Sequence, residues 1–171
     1  MNRARGFTIV ELLIVIVVIG ILAAISIVAY NGVSSKARDS QRKSDVAALT
    51  KALELYYIDN GNYPPGSWAF SDATTWTSLL TALEPYASNL PKADPVNVRD
   101  GAAAQTSSVY SYFTNTTGSA GTPGYCGVTG VRQMYILTYR LESGERKRDA
   151  VGECPTSTLQ YGESWYRSSK K

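Results

Sequence analysis

An α+β fold, one very long N-terminal helix carrying a small antiparallel sheet, is predicted by three features of the sequence. Residues 12–30 are 19 consecutive positions without a charge, and an amphipathic helical pattern follows them directly. That pattern stops at Asp59-Asn60-Gly61, with Pro64-Pro65 just beyond. Further on, residues 133–142 (QMYILTYRLE) alternate between two sets of side chains, between segments rich in glycine, serine and threonine.

The first element is predicted to be a single helix with two characters. Residues 7–29 are apolar almost all round, which suits lipid or a helix-packed interior. An uncharged run of this length is enough to cross a bilayer. Asn31-Gly32 is a weak point, because the pair favours turns. From Val33 the pattern is amphipathic, with Val46, Leu49, Leu53 and Tyr56 on one stripe and Ala48, Ala52 and Leu55 widening it. Asp39 stands at helical spacing from Arg42 and Lys43. The charges over residues 36–45 read as a solvated face or as contacts between subunits, and both readings stand.

The rest of the chain is expected to form one globular head. Residues 76–86 suit a short helix, with Leu79, Leu80 and Leu83 on one face and Pro85 near its end. Residues 91–95 read as a connecting loop and residues 109–114 as a strand. Residues 118–130 read as a long glycine-rich loop. In residues 133–142, Met134, Ile136, Thr138 and Arg140 oppose Tyr135, Leu137, Tyr139 and Leu141. Ser143-Gly144-Glu145 is a turn, a further strand is expected near residues 148–151, and the polar residues 164–171 are expected to fray. The sheet should pack on the C-terminal half of the long helix.

Composition argues against catalysis. The 171 residues include no histidine, so the commonest general base and metal ligand is absent. Serines and threonines are abundant, but nothing supplies a base for them, and no glycine motif cradles phosphate. Asp59, Asp94 and Asp100 are loop-type acids of the kind calcium takes. They form no dense cluster, so solvated acids are the simpler reading, and neither a metal nor a cofactor is expected. Arg146-Lys147-Arg148, Arg167, Lys170 and Lys171, with Trp165 and Tyr166, offer a weak DNA contact through phosphates and stacking. Glu145 and Asp149 interrupt that run and favour a solvated turn.

One residue breaks the apolar character of the N-terminus. Glu11 sits five residues into the hydrophobic stretch, where a carboxylate costs roughly 2.5–3.5 kcal/mol at the bilayer centre and less near its surface. It needs a cationic partner, and no basic residue follows it before Lys36. Upstream lies a short basic hexapeptide ending in Gly6. Cleavage after Gly6 creates a free amine on Phe7, four residues before Glu11.

The residues GFTIVELLIVIVVIGILAAISIVAY, with Gly6, Phe7, Thr8 and Glu11 in register and Gly20, Ala23, Ala24, Ala29 and Tyr30 behind them, resemble the N-terminus of type IV prepilins and of the pseudopilins of type II secretion. The likeness is close over residues 5–30 and weaker to about residue 65. It implies a pilin fold. The expected divisions are a leader peptide over residues 1–6, a transmembrane and filament-core helix over 7–30, an amphipathic half over 31–59, and a head over 60–171. It further implies cutting between Gly6 and Phe7 by a prepilin peptidase, N-methylation of Phe7, and pairing of Glu11 with a neighbouring subunit's N-terminal amine. Loss of Arg3 and Arg5 with the leader takes the net charge from +3 to +1. Many family members carry a proline where this chain has Val28, and Val28 predicts a continuous helix in the isolated subunit.

The implied function is structural. The leading expectation is the subunit (fimbrial pilin) of a type IV pilus, a helical homopolymer serving cell adhesion, twitching motility or DNA uptake. The alternatives are a pseudopilin of type II secretion and a membrane-tethered adhesive or DNA-binding module that never polymerises. An assembly platform protein and a motor ATPase are the implied further partners. The subunit would sit in the cytoplasmic (inner) membrane with its head outside, then in an extracellular pilus. For a head in that compartment, Cys126 and Cys154 read as a disulfide bond, with two free buried thiols as the other reading. A loop of that size stabilises by roughly 3–4 kcal/mol in the chain-entropy picture.

Overall fold

The computed structural model describes residues 8–99, 107–115, 128 and 130–143, and the backbone of residues 165–170. In order, the elements are a helix α1 (Ile9–Asn60), a strand β1 (Ala69–Phe70), a helix α2 (Thr74–Leu83) continued by a 3-10 turn (Glu84–Tyr86), and strands β2 (Ser111–Thr114), β3 (Tyr135–Arg140) and β4 (Trp165–Lys170). The α+β architecture is the expected one. Two compact units divide the chain, residues 1–37 and 38–171, and α1 contributes to both.

In the first unit α1 is apolar and exposed on every side. Large side chains from Ile9 to Val33 are about half exposed or more. It is the one helix among the described residues long and apolar enough to cross a membrane. As the absence of proline at Val28 predicts, it runs without interruption from Ile9 to Asn60.

In the second unit α1 buries Val46, Leu49, Ala52 and Leu53, the stripe legible in the sequence. Each leucine withdrawn from water contributes about 1.5–3 kcal/mol. They meet Tyr63, Trp76, Leu79, Leu83, Tyr110, Tyr112, Tyr135 and Leu137 in one core. The helix ends as its sequence dictates. Gly61 takes the left-handed conformation (φ 68°), and its N–H donates to the Tyr57 carbonyl at 2.8 Å. Tyr57 also donates its hydroxyl to Gln133 Oε1 at 2.7 Å, and Gln133 Nε2 donates to the Gly61 carbonyl at 2.9 Å. The stop is thereby tied to the segment leading into β3.

The sheet is antiparallel in the order β1-β2-β3-β4. Tyr112 and Leu137 are paired across β2 and β3 and point into the main core. The opposite face is also covered. Met134 and Ile136 are fully buried there, with Phe113 and Val128 packed against them. The alternation of β3 therefore separates two buried clusters rather than a core from a solvated face. On that second face the hydroxyls of Ser111 and Thr138, a cross-strand pair, hydrogen-bond to each other.

Two expectations for the head are corrected. Residues 164–171, expected to fray, contain β4, which pairs along its whole length with β3, from Tyr135↔Lys170 to Arg140↔Trp165. Polar composition does not prevent a strand whose backbone groups find a ladder, since those groups must be satisfied somewhere. The two-residue β1 was not foreseen; so short a pairing carries no alternation to read. The helix expected over residues 76–86 begins two residues earlier and tightens to 3-10 geometry at Pro85. The strand expected near residues 148–151 lies outside the described residues.

Candidate functional site

The N-terminus of α1 is built by a reciprocal cap. Thr8 precedes the first helical residue, and Glu11 stands three positions on. Glu11 N–H donates to Thr8 Oγ1 at 3.2 Å, while the Thr8 N–H and hydroxyl both donate to Glu11 Oε2, at 2.8 and 2.7 Å. This is the capping box of a Thr-x-x-Glu sequence, a pattern that signals a helix start directly and was the missed clue to this contact. One carboxylate oxygen is thus engaged inside the subunit. Among the described residues no cation lies within ion-pairing distance of Glu11. Around it Ile9, Val10, Leu12 and Leu13 are all more than half exposed. The arrangement is a carboxylate fixed in the first turn of an apolar helix, open to a donor from outside. Gly6 and Phe7, the expected processing residues, lie outside the described residues, as do Cys126 and Cys154.

A second cluster of charge lies in the head, where the sequence left a solvated face or contacts between subunits as the two readings. Arg42 is fully buried. Its Nε and Nη2 donate to the two oxygens of Asp94 at 2.7 and 2.9 Å, a bidentate fork. Its Nη1 donates to Asp39 Oδ1 at 3.0 Å and to Glu142 Oε1 at 2.7 Å. Glu142 is held again by Arg38 Nε, at 2.8 Å. Asp39 in turn accepts the backbone N–H groups of Glu142 and Ser143, at 2.8 and 2.9 Å. The expected Asp39–Arg42 pair thus forms, but as part of a buried network that joins α1, the loop at Asp94 and the end of β3.

This network corrects two readings. The charges of residues 36–45 are not simply solvated, because Asp39 and Arg42 are core residues of the head. Asp94 is no open loop acid for calcium: Oδ2 takes Arg42 Nε, and Oδ1 takes Arg42 Nη2 and the Val96 N–H at 2.8 Å. Asp59 is exposed at the end of α1, and Asp100 lies outside the described residues. Among the described residues no group of three or more potential ligands is arranged to hold a metal.

Titration follows from these contacts. Burial lowers the Arg42 pKa, but its hydrogen bonds to Asp94, Glu142 and Asp39 outweigh burial and raise it. Burial raises the Asp39 pKa, and the N–H groups of Glu142 and Ser143 together with Arg42 carry it below the ordinary carboxylate value. Glu142 is lowered chiefly by Arg38, against burial, with Arg42 adding to the effect. Asp39, Arg42 and Glu142 are therefore ionised at neutral pH.

Residues 1–27 match the family model described as a prokaryotic N-terminal methylation motif. Residues 29–122, more than half of the chain, match that of type II secretion system (T2SS) protein G. The chain belongs to the pilin and pseudopilin family, in its protein G group. It is similar to the type II secretion system core protein G of Klebsiella pneumoniae, with 36% identity over 92 residues, 54% of this chain and 63% of that protein. The protein of the same name from Escherichia coli (strain K12) is 37% identical over 99 residues, 55% of this chain and 68% of the relative. Fimbrial protein Q of Moraxella bovis is 36% identical over 104 residues, 61% of this chain and 64% of that protein. The matched part thus spans about two thirds of these relatives' lengths, slightly less in two of the three. No solved structure shows a significant match. In this family member the methylation motif covers the Thr8–Glu11 cap and the apolar helix. The protein G match covers the charge network's Arg38, Asp39, Arg42 and Asp94 but not Glu142.

Proposed function

We propose that this chain is the structural subunit of a helical filament of the pseudopilus or pilus type. Prepilin peptidase cuts it between Gly6 and Phe7, and Phe7 is N-methylated. The apolar half of α1 anchors the subunit in the cytoplasmic membrane before assembly, with the head outside, and then enters the core of a homopolymer. An assembly platform protein and a motor ATPase drive that transfer. Cys126 and Cys154 form a disulfide in the head. The role is structural rather than enzymatic.

The observation that carries this reading is the N-terminal half of α1. It is an uncharged helix exposed on every face, bearing one carboxylate set in its first turn by Thr8. Such a surface is stable only in lipid or among copies of itself. The ammonium of a neighbouring Phe7 supplies the charge Glu11 lacks. A subunit entering out of register leaves both charges unpaired in an apolar core, so the pair selects the correct position. Head-to-tail helical symmetry then permits open growth.

The protein G matches favour a pseudopilus of a type II secretion system. The match to a fimbrial protein supports a second reading, a surface type IV pilus used in adhesion, twitching motility or DNA uptake. Intact mass spectrometry of material sheared from native cells separates them. A species beginning at methylated Phe7 in the sheared fraction establishes an exported pilus. The same species confined to membranes and the periplasm establishes the pseudopilin. Cleavage near Ala29 would remove the anchor and overturn both.

A further inference from the structure

The apolar stripe by which α1 sits on the head nearly repeats itself. Val46, Leu49, Leu53 and Tyr56 recur at steps of three and four residues, the first three buried and Tyr56 half-buried. A shift of the helix by one turn brings Leu49 towards the place of Val46 and Leu53 towards that of Leu49. The opposite shift brings Val46 towards the place of Leu49 and Leu49 towards that of Leu53. Cores tolerate such aliphatic exchanges when total volume and patterning are kept. Burial of the stripe therefore discriminates only weakly between one register and the next.

Nearer the N-terminus, the face of α1 turned to the head carries Asp39, Arg42 and Asp45, charges of alternating sign at steps of three. Each meets a different group. Asp39 accepts the N–H groups of Glu142 and Ser143. Arg42 holds both oxygens of the buried Asp94. Asp45 Oδ2 accepts the Tyr110 hydroxyl at 2.7 Å. A shift of three residues in either direction puts Asp39 or Asp45 in the place of Arg42, so that a carboxylate faces Asp94 and Glu142. A shift of four puts Val46 at Asp94 in one direction, which leaves that buried carboxylate without a counter-ion. In the other direction it puts Asp45 in the place of the fully buried Leu49. Every one-turn slip thus buries an unpaired charge, which is the arrangement a protein interior penalises most.

We infer that the alternating triplet Asp39–Arg42–Asp45 fixes the register of α1 on the head. The stripe supplies adhesion, and the charges select one position out of several that the stripe accepts. A buried ion pair gains little over well-packed apolar side chains, but it forbids arrangements that leave it unpaired. A slip of one turn displaces the head by about 5.4 Å along the helix. Subunits of a helical array share one set of contacts and must therefore share one shape. The register is a property of the monomer, and only its use in assembly rests on the function proposed above.

Double electron–electron resonance on the mature full-length protein in detergent micelles tests it. Spin-labelled non-canonical residues are placed at the exposed positions 51 and 77, and in a second sample at 51 and 96. Wild type should give one distance in each pair. Arg42→Leu/Asp94→Leu replaces the ion pair by apolar side chains, and its melting temperature should stay within about 5 °C of wild type. It should nonetheless show a second distance, displaced by up to about 5 Å, with at least about tenfold more of the slipped form than wild type. The exchange Arg42→Asp/Asp94→Arg keeps an ion pair but abolishes the alternation, and it should show a second distance too. Leu49→Ala should do the reverse, with a lower melting temperature and a single distance. One unchanged distance in either double variant that folds would overturn the register role. So would a second distance in Leu49→Ala, which would make the stripe the selector. In cells, the leucine double variant should be processed normally yet yield fewer filaments. A normal yield from a protein with two distances would overturn the assembly use. A wild-type chain that forms no filament would instead sink the filament reading and leave the distance result standing.

Discussion

The two parts of α1 share one backbone geometry and little else. Over residues 9–33 large apolar side chains are exposed on all sides, and one oxygen of the single carboxylate is engaged by its own cap. Over residues 38–60 it is a component of a folded core, held by four apolar residues and by two buried charged ones. The difference teaches that helicity has two sources here. The second part is helical because its stripe is buried. On the membrane-anchor reading proposed above, the first is helical because an apolar segment in lipid must satisfy its backbone internally. Substitutions in the first part should therefore change assembly and leave the head intact, and those in the second should change the head's stability.

The largest effect should come from Glu11→Ala. Leader cleavage and head stability should be unchanged, while incorporation into sheared or cross-linked filaments drops to background. Immunoblots of sheared and membrane fractions read both. The cap contributes only about 1 kcal/mol to the helix, so a helix still present by circular dichroism alongside lost filaments assigns the defect to charge pairing. Filaments at wild-type level would remove the Glu11–Phe7 pair from the mechanism.

Next in size is Arg42→Met in the head. It strips the buried Asp94 of its bidentate partner and leaves the buried Asp39 and the partly buried Glu142 short of one. Removing one member of a buried ionic set costs about 3–5 kcal/mol, which lowers the melting temperature by roughly 10–20 °C for a head of this size. Lys51, on the same helix but exposed, is the control, and Lys51→Met should stay within about 0.5 kcal/mol of wild type. Equal small losses for both would mean that the network is solvated after all.

That contrast also marks where the sequence was readable. The apolar run, the stripe of Val46, Leu49 and Leu53, the Gly61 stop and the strand at β3 each follow from local pattern. The burial of Arg42 does not. Its periodic position shows only that it can face the core, and its partners Asp94 and Glu142 lie 52 and 100 residues away. No local rule pairs residues at such separations. The second cluster beneath Met134 and Ile136 was hidden for a related reason, since alternation separates two faces without saying which are covered. β4 was hidden because its pairing is made by backbone, to which side-chain polarity is a poor guide. For the assembly site, Glu11 and its spacing from Phe7 were legible as chemistry. The Thr8 cap is equally legible, through Thr-x-x-Glu, as a local contact to the same carboxylate.

Acid should act on the second part of α1 through the same network. Asp39 and Glu142 have native pKa values below their unfolded ones. Their contribution is complete above the ordinary carboxylate range, at about pH 5 and higher, and is lost as pH falls through the lowered native values. Thermal melts followed by tryptophan fluorescence should thus show stability falling below about pH 5. In Asp39→Asn the curve should be lower at neutral pH and flatter on the acid side. A variant curve parallel to wild type would mean that Asp39 does not contribute to the acid limb.

The smallest test sets one substitution against itself in the two parts of the helix. Gly61 sits at φ 68° with open space where a side chain would go. Gly61→Ala therefore meets no clash and bears only the left-handed penalty of about 1–2 kcal/mol. The head should lose that much and no more, because the Gly61 N–H to Tyr57 bond and the Gln133 contact survive. Gly32 also has open space around it but lies inside the helix, so Gly32→Ala should stabilise that turn by about 1 kcal/mol. The head's melting temperature should not move, since residue 32 belongs to the other compact unit. The same methyl group thus lowers stability at one end of the amphipathic stretch and raises local helicity at the other. A shift of the head's melting temperature on Gly32→Ala would mean that the two parts of α1 fold as one, and the division between them would fall.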